Sequence, residues 1–262
     1  MRVLCFRYRG RVGHFLRAEM NASALSYPVP PRTTLLGLLG AILGLPKDAA
    51  PVELDGWEDG SSSERRDDRQ ALIGLAGAVP NRHYHKANVR KRTGLTDPLP
   101  LRLRPMAQGD EPPDPTGGGA ATQVTQEWLL APDFRVFVSI RNRKWMDALC
   151  ERFAGPEART HFTPCLGPAW MLACLEPEVI GEAELLPAGG HEVVTICRKD
   201  AVQLPNLSEL EGLAVQEIRM PRMVTPNRIF SQENYLLEMN GRPIPVETEQ
   251  AWSFVGQNIT FL

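Results

Sequence analysis

Residues 12–45 read VGHFLRAEMNASALSYPVPPRTTLLGLLGAILGL, and three kinds of chain follow one another inside them. First comes a polar, basic loop with Gly13, His14, Arg17, Asn21, Ser23 and Ser26. Next is an elbow, Tyr27-Pro28-Val29-Pro30-Pro31, stiff because each proline fixes its own φ. A short helix is then expected over residues 35–43, with Thr33 or Thr34 as N-cap. Gly44 and Pro46 supply its stop. Leu35, Leu36, Leu38, Leu39, Ile42 and Leu43 leave no polar face, so this helix must be buried. Gly37 and Gly40 weaken it as a helix and allow close packing against a sheet.

The loop and the helix N-terminus together offer N–H groups, hydroxyls and positive charge to an anion, with Arg32, Thr33 and Thr34 at that point. The plain alternative is an ordinary capped core helix. No Gly-Lys-Ser/Thr ends the stretch, so it is not a P-loop. It is too short to cross a membrane. Gly37-Leu38-Leu39-Gly40 has the spacing of the KH-domain GXXG, but its leucines mark a buried helix and not an RNA-clamping loop.

Upstream, residues 2–9 alternate imperfectly between apolar and basic, as in a central strand covered on both faces. Arg7, Arg9, Arg11, His14 and Arg17 form a basic cluster at and beyond its end, or else an ordinary solvated strand end. The chain has 262 residues and a formal net charge of -2, so any nucleic-acid function must rest on a local patch. Cys5, Cys150, Cys165, Cys174 and Cys197 have no CxxC or zinc spacing and read as free thiols in a reducing cytosol. No signal-peptide core and no membrane-length apolar run is expected.

Downstream, residues 47–70 read as a flexible surface excursion. Residues 71–79 form a buried strand or a short helix. Residues 81–104 (NRHYHKANVRKRTGLTDPLPLRLR) carry seven cations, Arg82, Lys86, Arg90, Lys91, Arg92, Arg102 and Arg104, against one acid, Asp97. His83, Tyr84 and His85 add stacking surfaces. Cations bind phosphates and rings stack unpaired bases, so this is the clearest local site for nucleic acid; a solvated charged hairpin is the alternative. Residues 107–122 form a Pro/Gly/Asp-rich loop. Strands follow at residues 123–130 and 134–140, then a second helix at 141–153 with Trp145, Met146, Leu149, Cys150 and Phe153 on its core face. His161 lies in a turn-rich stretch before an apolar run. Strands are expected at residues 179–186, 193–198 and 213–220. Asn240-Gly241 signals a hairpin between residues 235–239 and 242–246, its prolines placing the second arm at an edge. Short strands at 252–255 and 258–262 end the chain. Arg219, Arg222 and Arg228 read as solvated.

Phe15-Leu16-Arg17 followed by residues 24–44 (ALSYPVPPRTTLLGLLGAILG) resembles the N-terminal signature of the fifth CRISPR-associated protein family ("Cas five"), in the form closest to its type I-B branch. Gly13-His14-Phe15 and the strand before it match too. The resemblance is strong over about the first 45 residues and rests on order and size beyond them. It implies an α+β fold of the RAMP superfamily: a ferredoxin-like (RRM-like) β-α-β-β-α-β domain over residues 1–186, with a protruding thumb hairpin at about 81–122 and a β-rich C-terminal extension over 187–262. It implies a cytoplasmic, non-catalytic RNA-binding subunit of a type I CRISPR Cascade surveillance complex in antiviral defense. That subunit caps the 5′ handle of the crRNA, contacts the backbone and large subunits, and meets target DNA only through the complex. Neither a cofactor, a metal nor a membrane is implied.

On this reading His14, Arg17, Arg32, Thr33 and Thr34 bind handle phosphates and splayed bases, and Arg82, His83, Tyr84, Lys86, Arg90, Lys91 and Arg92 clamp the RNA where handle meets spacer. The competing class is a metal-independent endoribonuclease like the type I-C member, with His83, Tyr84, His85 and Lys86 as candidate catalytic residues. A histidine would take the 2′-OH proton and a lysine would stabilise the phosphorane. Strand neighbours alternate faces, so only His83 with His85, or Tyr84 with Lys86, point the same way. A subunit of a transposon-linked Cascade would read identically.

Overall fold

Residues 2–9 are apolar on both faces, and the fold supplies a cover for each. The computed structural model describes residues 1–17, 23–46, 48–57, 70–90, 121–206 and 210–262. Its first elements are β1 (Arg2–Gly10), β2 (Val12–Gly13), β3 (Phe15–Leu16), β4 (Ser23–Ala24), β5 (Ser26–Tyr27), α1 (Arg32–Leu43) and α2 (Ala50–Asp55). Then come β6 (Ala71–Ala76), β7 (Asn81–Arg90), β8 (Ala121–Leu130), β9 (Asp133–Ile140), α3 (Arg143–Arg152) and β10 (Ala173–Glu182). The main sheet has the order β10-β1-β9-β6, every neighbour antiparallel. With α1 between β1 and β6, and α3 between β9 and β10, this is the ferredoxin-like β-α-β-β-α-β arrangement.

Leu4, Phe6 and Tyr8 share a core with Leu35, Leu36 and Leu39 of α1 and with Met146 and Leu149 of α3. Val3 and Cys5 point the other way and pack with Phe137, Phe254 and Ile259. The last two come from the C-terminal strands β11 (Glu184–Leu185), β12 (Gly189–Val193), β13 (Cys197–Arg198), β14 (Val215–Val224), β15 (Phe230–Glu238), β16 (Ile244–Thr248), β17 (Trp252–Phe254) and β18 (Gln257–Ile259). These make a five-stranded sheet, β11-β17-β18-β12-β16, and a three-stranded one, β13-β15-β14. The sheet face on which an RRM stacks its bases is therefore filled here by protein. Ile196 N–H and Leu262 N–H donate to the carbonyls of Leu75 and Ile73, both at 2.8 Å, along the outer edge of β6.

Three expectations need correction. Helix α1 begins at Arg32, three residues early, and neither threonine caps it. Pro31 holds the N-cap position without a side-chain bond, and its carbonyl accepts from Thr34 N–H at 2.9 Å and Leu35 N–H at 3.1 Å. The proline elbow already delivers the chain in a helix-entering conformation, so no hydroxyl is needed. Gly44 ends the helix as expected, left-handed at φ 78 with its N–H on the Gly40 carbonyl. Second, the polar excursion at 47–70 contains α2, whose Leu54 and Asp55 are fully buried; residues 58–69 lie outside the described ones.

Third, Asn240-Gly241 does not join two paired strands. β15 pairs with β14 and β13, whereas β16 pairs with β12 at the edge of the other sheet. The turn is built on the Glu238 carboxylate, which accepts from the N–H groups of Asn240 (2.7 Å), Arg242 (2.9 Å) and Ala214 (3.0 Å). Burial alone would raise the pKa of this carboxyl; the hydrogen bonds from Arg242 and Ala214 outweigh it and hold the group down at about 2.

Candidate nucleic-acid interface

The alternation of residues 81–86 decides what their side chains can do. β7 pairs with β8 along its whole length, from Asn81↔Leu130 to Arg90↔Ala121. Arg82, His83, Tyr84, His85 and Lys86 are all exposed. His83 pairs with Trp128 and Tyr84 with Glu127, so the hairpin has two unlike faces.

Glu127 organises the first face. Its carboxylate is 2% exposed and pairs with the Arg82 guanidinium at 3.2 Å. It also accepts from the Ser26 N–H at 2.9 Å and from the Tyr84 hydroxyl at 3.4 Å. The basic loop is thereby stitched to the hairpin base: β2 pairs with β8 at Val12↔Leu130, and β4 runs parallel to β8 at Ser23↔Thr125. Arg17 stands beside this seam. Its Nε donates to the Ser26 carbonyl at 3.1 Å, and its guanidinium lies 5.4 Å from the Tyr27 ring centroid. Arg17, Arg82, Tyr84 and Lys86 thus come from two short segments joined through Ser26 and Glu127.

The second face is made of rings. His85 stacks on Trp128 with centroids 4.7 Å apart at 23°, and His83 lies 6.4 Å from it. Trp170 meets Trp128 edge-on at 5.3 Å and 61°. Trp170 comes from the turn at residues 165–171, fixed by Leu166, which is fully buried and whose carbonyl accepts the His14 N–H at 2.9 Å. At Gly167 (φ +104) a Cβ would lie 1.9 Å from the His14 carbonyl oxygen, so only glycine fits.

Two expected RNA ligands are instead structural. Arg32 is 0% exposed and makes a two-pronged ion pair with the equally buried Asp55, at 2.6 and 3.0 Å. The same two terminal nitrogens also donate to the carbonyls of Ala71 (2.6 Å) and Arg222 (3.1 Å). One guanidinium therefore ties α1, α2, β6 and β14 together and has no surface to show a phosphate. His14 is 4% exposed, its Nδ1 at 2.7 Å from the Glu127 carbonyl oxygen. Two members of the basic cluster at the end of β1 are also committed, Arg7 to Asp133 and Arg9 to Glu176, whereas Arg11 is exposed.

Thr33 and Thr34 are half-buried and line a cleft of about 290 Å³ with Gly37, Arg228 and Phe230. Arg228 pairs there with Asp48 at 3.1 Å. Arg222, expected to be solvated, is partly buried and pairs with Glu233 at 3.2 Å; burial, then repulsion from Arg198, lowers its pKa. His161 is exposed, and its N–H and that of Phe162 donate to the carbonyls of Ile42 and Ala41 at the end of α1. The side chain of Arg90, and the whole of Lys91 and Arg92, lie outside what is described.

The five cysteines are free; Cys5, Cys150 and Cys197 are buried, and Cys174 is exposed. Burial, reinforced by Glu178, pushes the Cys5 thiol up to about 12, and burial pushes Cys197 up to about 11, so neither is a nucleophile at neutral pH. Among the described residues no group of three or more His, Cys, Asp or Glu could hold a metal, and no helix is long and apolar enough to cross a membrane.

The family model described as CRISPR-associated protein (Cas_Cas5) matches residues 3–124. The matched segment runs from β1 into β8. No curated protein matches the chain. Among solved structures, a CRISPR protein from Archaeoglobus fulgidus aligns over 100% of this chain and 99% of its own, at 12% identity and a TM-score of 0.49. A chain of a CRISPR RNA-guided surveillance complex aligns over 93% and 91%, at 15% identity and 0.44. A chain of the type III-B Cmr-beta complex bound to cognate target RNA and AMPPnP aligns over 94% and 86%, at 11% identity and 0.45.

Proposed function

We propose that this chain is a non-catalytic, RNA-binding subunit of a CRISPR surveillance complex of the type I Cascade kind, in its I-B branch. It grips the 5′ handle of the crRNA in the cytoplasm and docks on the backbone and large subunits. The observation that carries this reading is the Cas5 match over residues 3–124, a segment that leads into a hairpin presenting Arg82, Tyr84 and Lys86 beside Arg17. Charge and a phenol in one seam suit a single strand with unstacked bases. The filled sheet face leaves this seam, and not the sheet, to meet RNA.

The same geometry argues for the non-catalytic form. His83 and His85 share a face with Trp128, while Tyr84 turns to Glu127 on the other. A histidine base and a Tyr/Lys pair from residues 83–86 would have to act from opposite sides of one ribbon. The test is incubation of the protein with end-labelled CRISPR repeat RNA in EDTA, followed by native and denaturing gels over a salt series. A shifted, intact RNA whose affinity falls steeply with salt is the expected result. One discrete cut, lost on replacing His83 or His85, would overturn it in favour of a processing enzyme.

A further inference from the structure

Gly37 stands in the middle of α1 without a reason inside the chain. A glycine in a helix interior costs stability relative to alanine. Gly40, one turn on, has its reason, since a Cβ there would lie 3.1 Å from the Ala50 Cβ of α2. A Cβ on Gly37 would meet nothing within 4 Å. Gly37 is exposed and floors a trough along α1. Two clefts, of about 290 and about 500 Å³, share Gly37, Ala50, Asp48 and Arg228. Phe230 lines the first and Phe162 the second, 48% and 51% exposed.

Neither ring hangs on a loose loop. Phe162 N–H donates to the Ala41 carbonyl at 3.2 Å. Phe230 follows a closed hairpin tip, in which Thr225 N–H donates to the Ile229 carbonyl and Ile229 N–H to the Thr225 hydroxyl, both at 3.0 Å. Between the rings lies the Arg228–Asp48 ion pair at 3.1 Å. Both its members hold a left-handed backbone, at φ 61 and 65, a conformation that non-glycine residues keep only where their surroundings enforce it.

We propose that this trough is a docking groove for an apolar helix of another protein subunit, packed across Gly37 with Phe162 and Phe230 as its two edges. The proposal rests on the reading of the chain as a subunit of a larger complex and names a place where one protein partner is held. A missing side chain lets two helix backbones approach closely, which explains a glycine that the chain itself does not need. Charge complementarity selects the occupant. Among the residues lining the two clefts, Asp48 and Arg228 are the charged ones and they cancel, so the groove suits an uncharged apolar segment and not a polyanion. Exposed aromatic rims are the mark of protein interfaces. Size excludes a second copy held by this groove alone. From Thr33 to Ala41 the helix rises about 12 Å, room for about two turns of a partner roughly 10 Å wide. That contact buries well under half of the roughly 1,200 Å² that a self-standing interface needs. The occupant is therefore a segment of a protein that grips the chain elsewhere as well.

The experiment uses the full chain with repeat RNA and, as probes, the purified backbone and large subunits of the complex. It compares wild type, Gly37→Ala, Gly37→Leu and Phe230→Ala in thermal melting, RNA anisotropy and subunit binding. Gly37→Ala should raise the melting temperature of the chain alone by about 2–3 °C. It should leave RNA affinity unchanged and weaken one of the two subunits about fivefold, with Gly37→Leu weakening the same subunit tenfold or more. Phe230→Ala should weaken it as well. A variant that is more stable and docks worse is a result that a purely structural role for Gly37 does not give. Wild-type affinity for both subunits in Gly37→Leu would overturn the groove and leave the subunit reading standing. Loss of RNA affinity with intact subunit binding would overturn it in favour of a nucleic-acid contact, and loss of self-association in favour of a second copy. Wild type that binds neither subunit nor RNA would overturn both readings.

Discussion

Arg32 and Arg82 look alike in the sequence: each follows a proline-bearing bend and each sits among residues that suit an anion. In the fold they are opposites. Arg32 is 0% exposed and locked to Asp55 on α2, whereas Arg82 keeps 34% of its side chain in solvent while resting on Glu127. The partner decides the outcome. Asp55 is itself buried and draws its cation inside; Glu127 lies under a surface ribbon and steadies a cation that stays out. A basic residue is therefore a nucleic-acid candidate only after the carboxylates within reach have been counted.

The sharpest way to break this comparison is to remove Arg32. Arg32→Ala takes the two-pronged guanidinium pair from the buried Asp55 carboxylate, which should cost about 3–5 kcal/mol in urea unfolding. Replacing both partners with apolar residues of similar volume should recover much of that loss. A single variant that keeps its stability and loses only RNA affinity would mean that Arg32 belongs with Arg82 after all.

Gly167→Ala tests the turn that carries Trp170. With φ at +104 and a Cβ placed 1.9 Å from the His14 carbonyl oxygen, the backbone must shift. The expected loss is about 2–3 kcal/mol in urea unfolding. A variant with native stability would show that the backbone at Gly167 can shift away from His14 without cost.

Glu238 gives the C-terminal counterpart of Asp55, a buried acid satisfied mainly by N–H groups. Its folded pKa, about 2, lies below the ordinary value of 4.5. Its contribution is therefore complete above pH 4.5 and disappears as pH falls through about 2. Glu238→Gln should cost roughly 2 kcal/mol at pH 7, and the difference from wild type should shrink in unfolding measured between pH 5 and pH 2. A pH-independent difference would mean that the amide loses packing and not charge-assisted hydrogen bonds.

What the sequence disclosed and withheld follows from range. The buried α1 was legible because six apolar residues within nine leave no polar side, and β1 because its apolar residues fall on both faces. Arg32 was misread because its partner is 23 residues away, on a helix hidden in a stretch that reads as polar loop. Asn240-Gly241 was misread because the local turn signal is real, while the choice of sheet is made by distant partners of β15 and β16. The opposed faces of residues 83–86 were legible from the period of two alone. Trp170 was not, since nothing local to a turn says that its ring will meet Trp128.

Lys86 and Arg82 set the finest test, because they share a face and differ only in Glu127. Each phosphate neutralised on a single strand adds about 0.7 to the slope of log K against log[salt]. Lys86→Ala should lower that slope by about 0.7 and weaken binding of repeat RNA roughly three- to fivefold at moderate salt. Arg82→Ala should lower the slope by less, because part of its charge is already committed to Glu127 at 3.2 Å. Its cost should instead appear in unfolding, where Glu127 at 2% exposure loses its ion-pair partner. If Arg82→Ala takes the larger part of the slope and leaves stability unchanged, then Glu127 releases Arg82 when RNA arrives, and the pair is a gate on the charged face, not a prop beneath it.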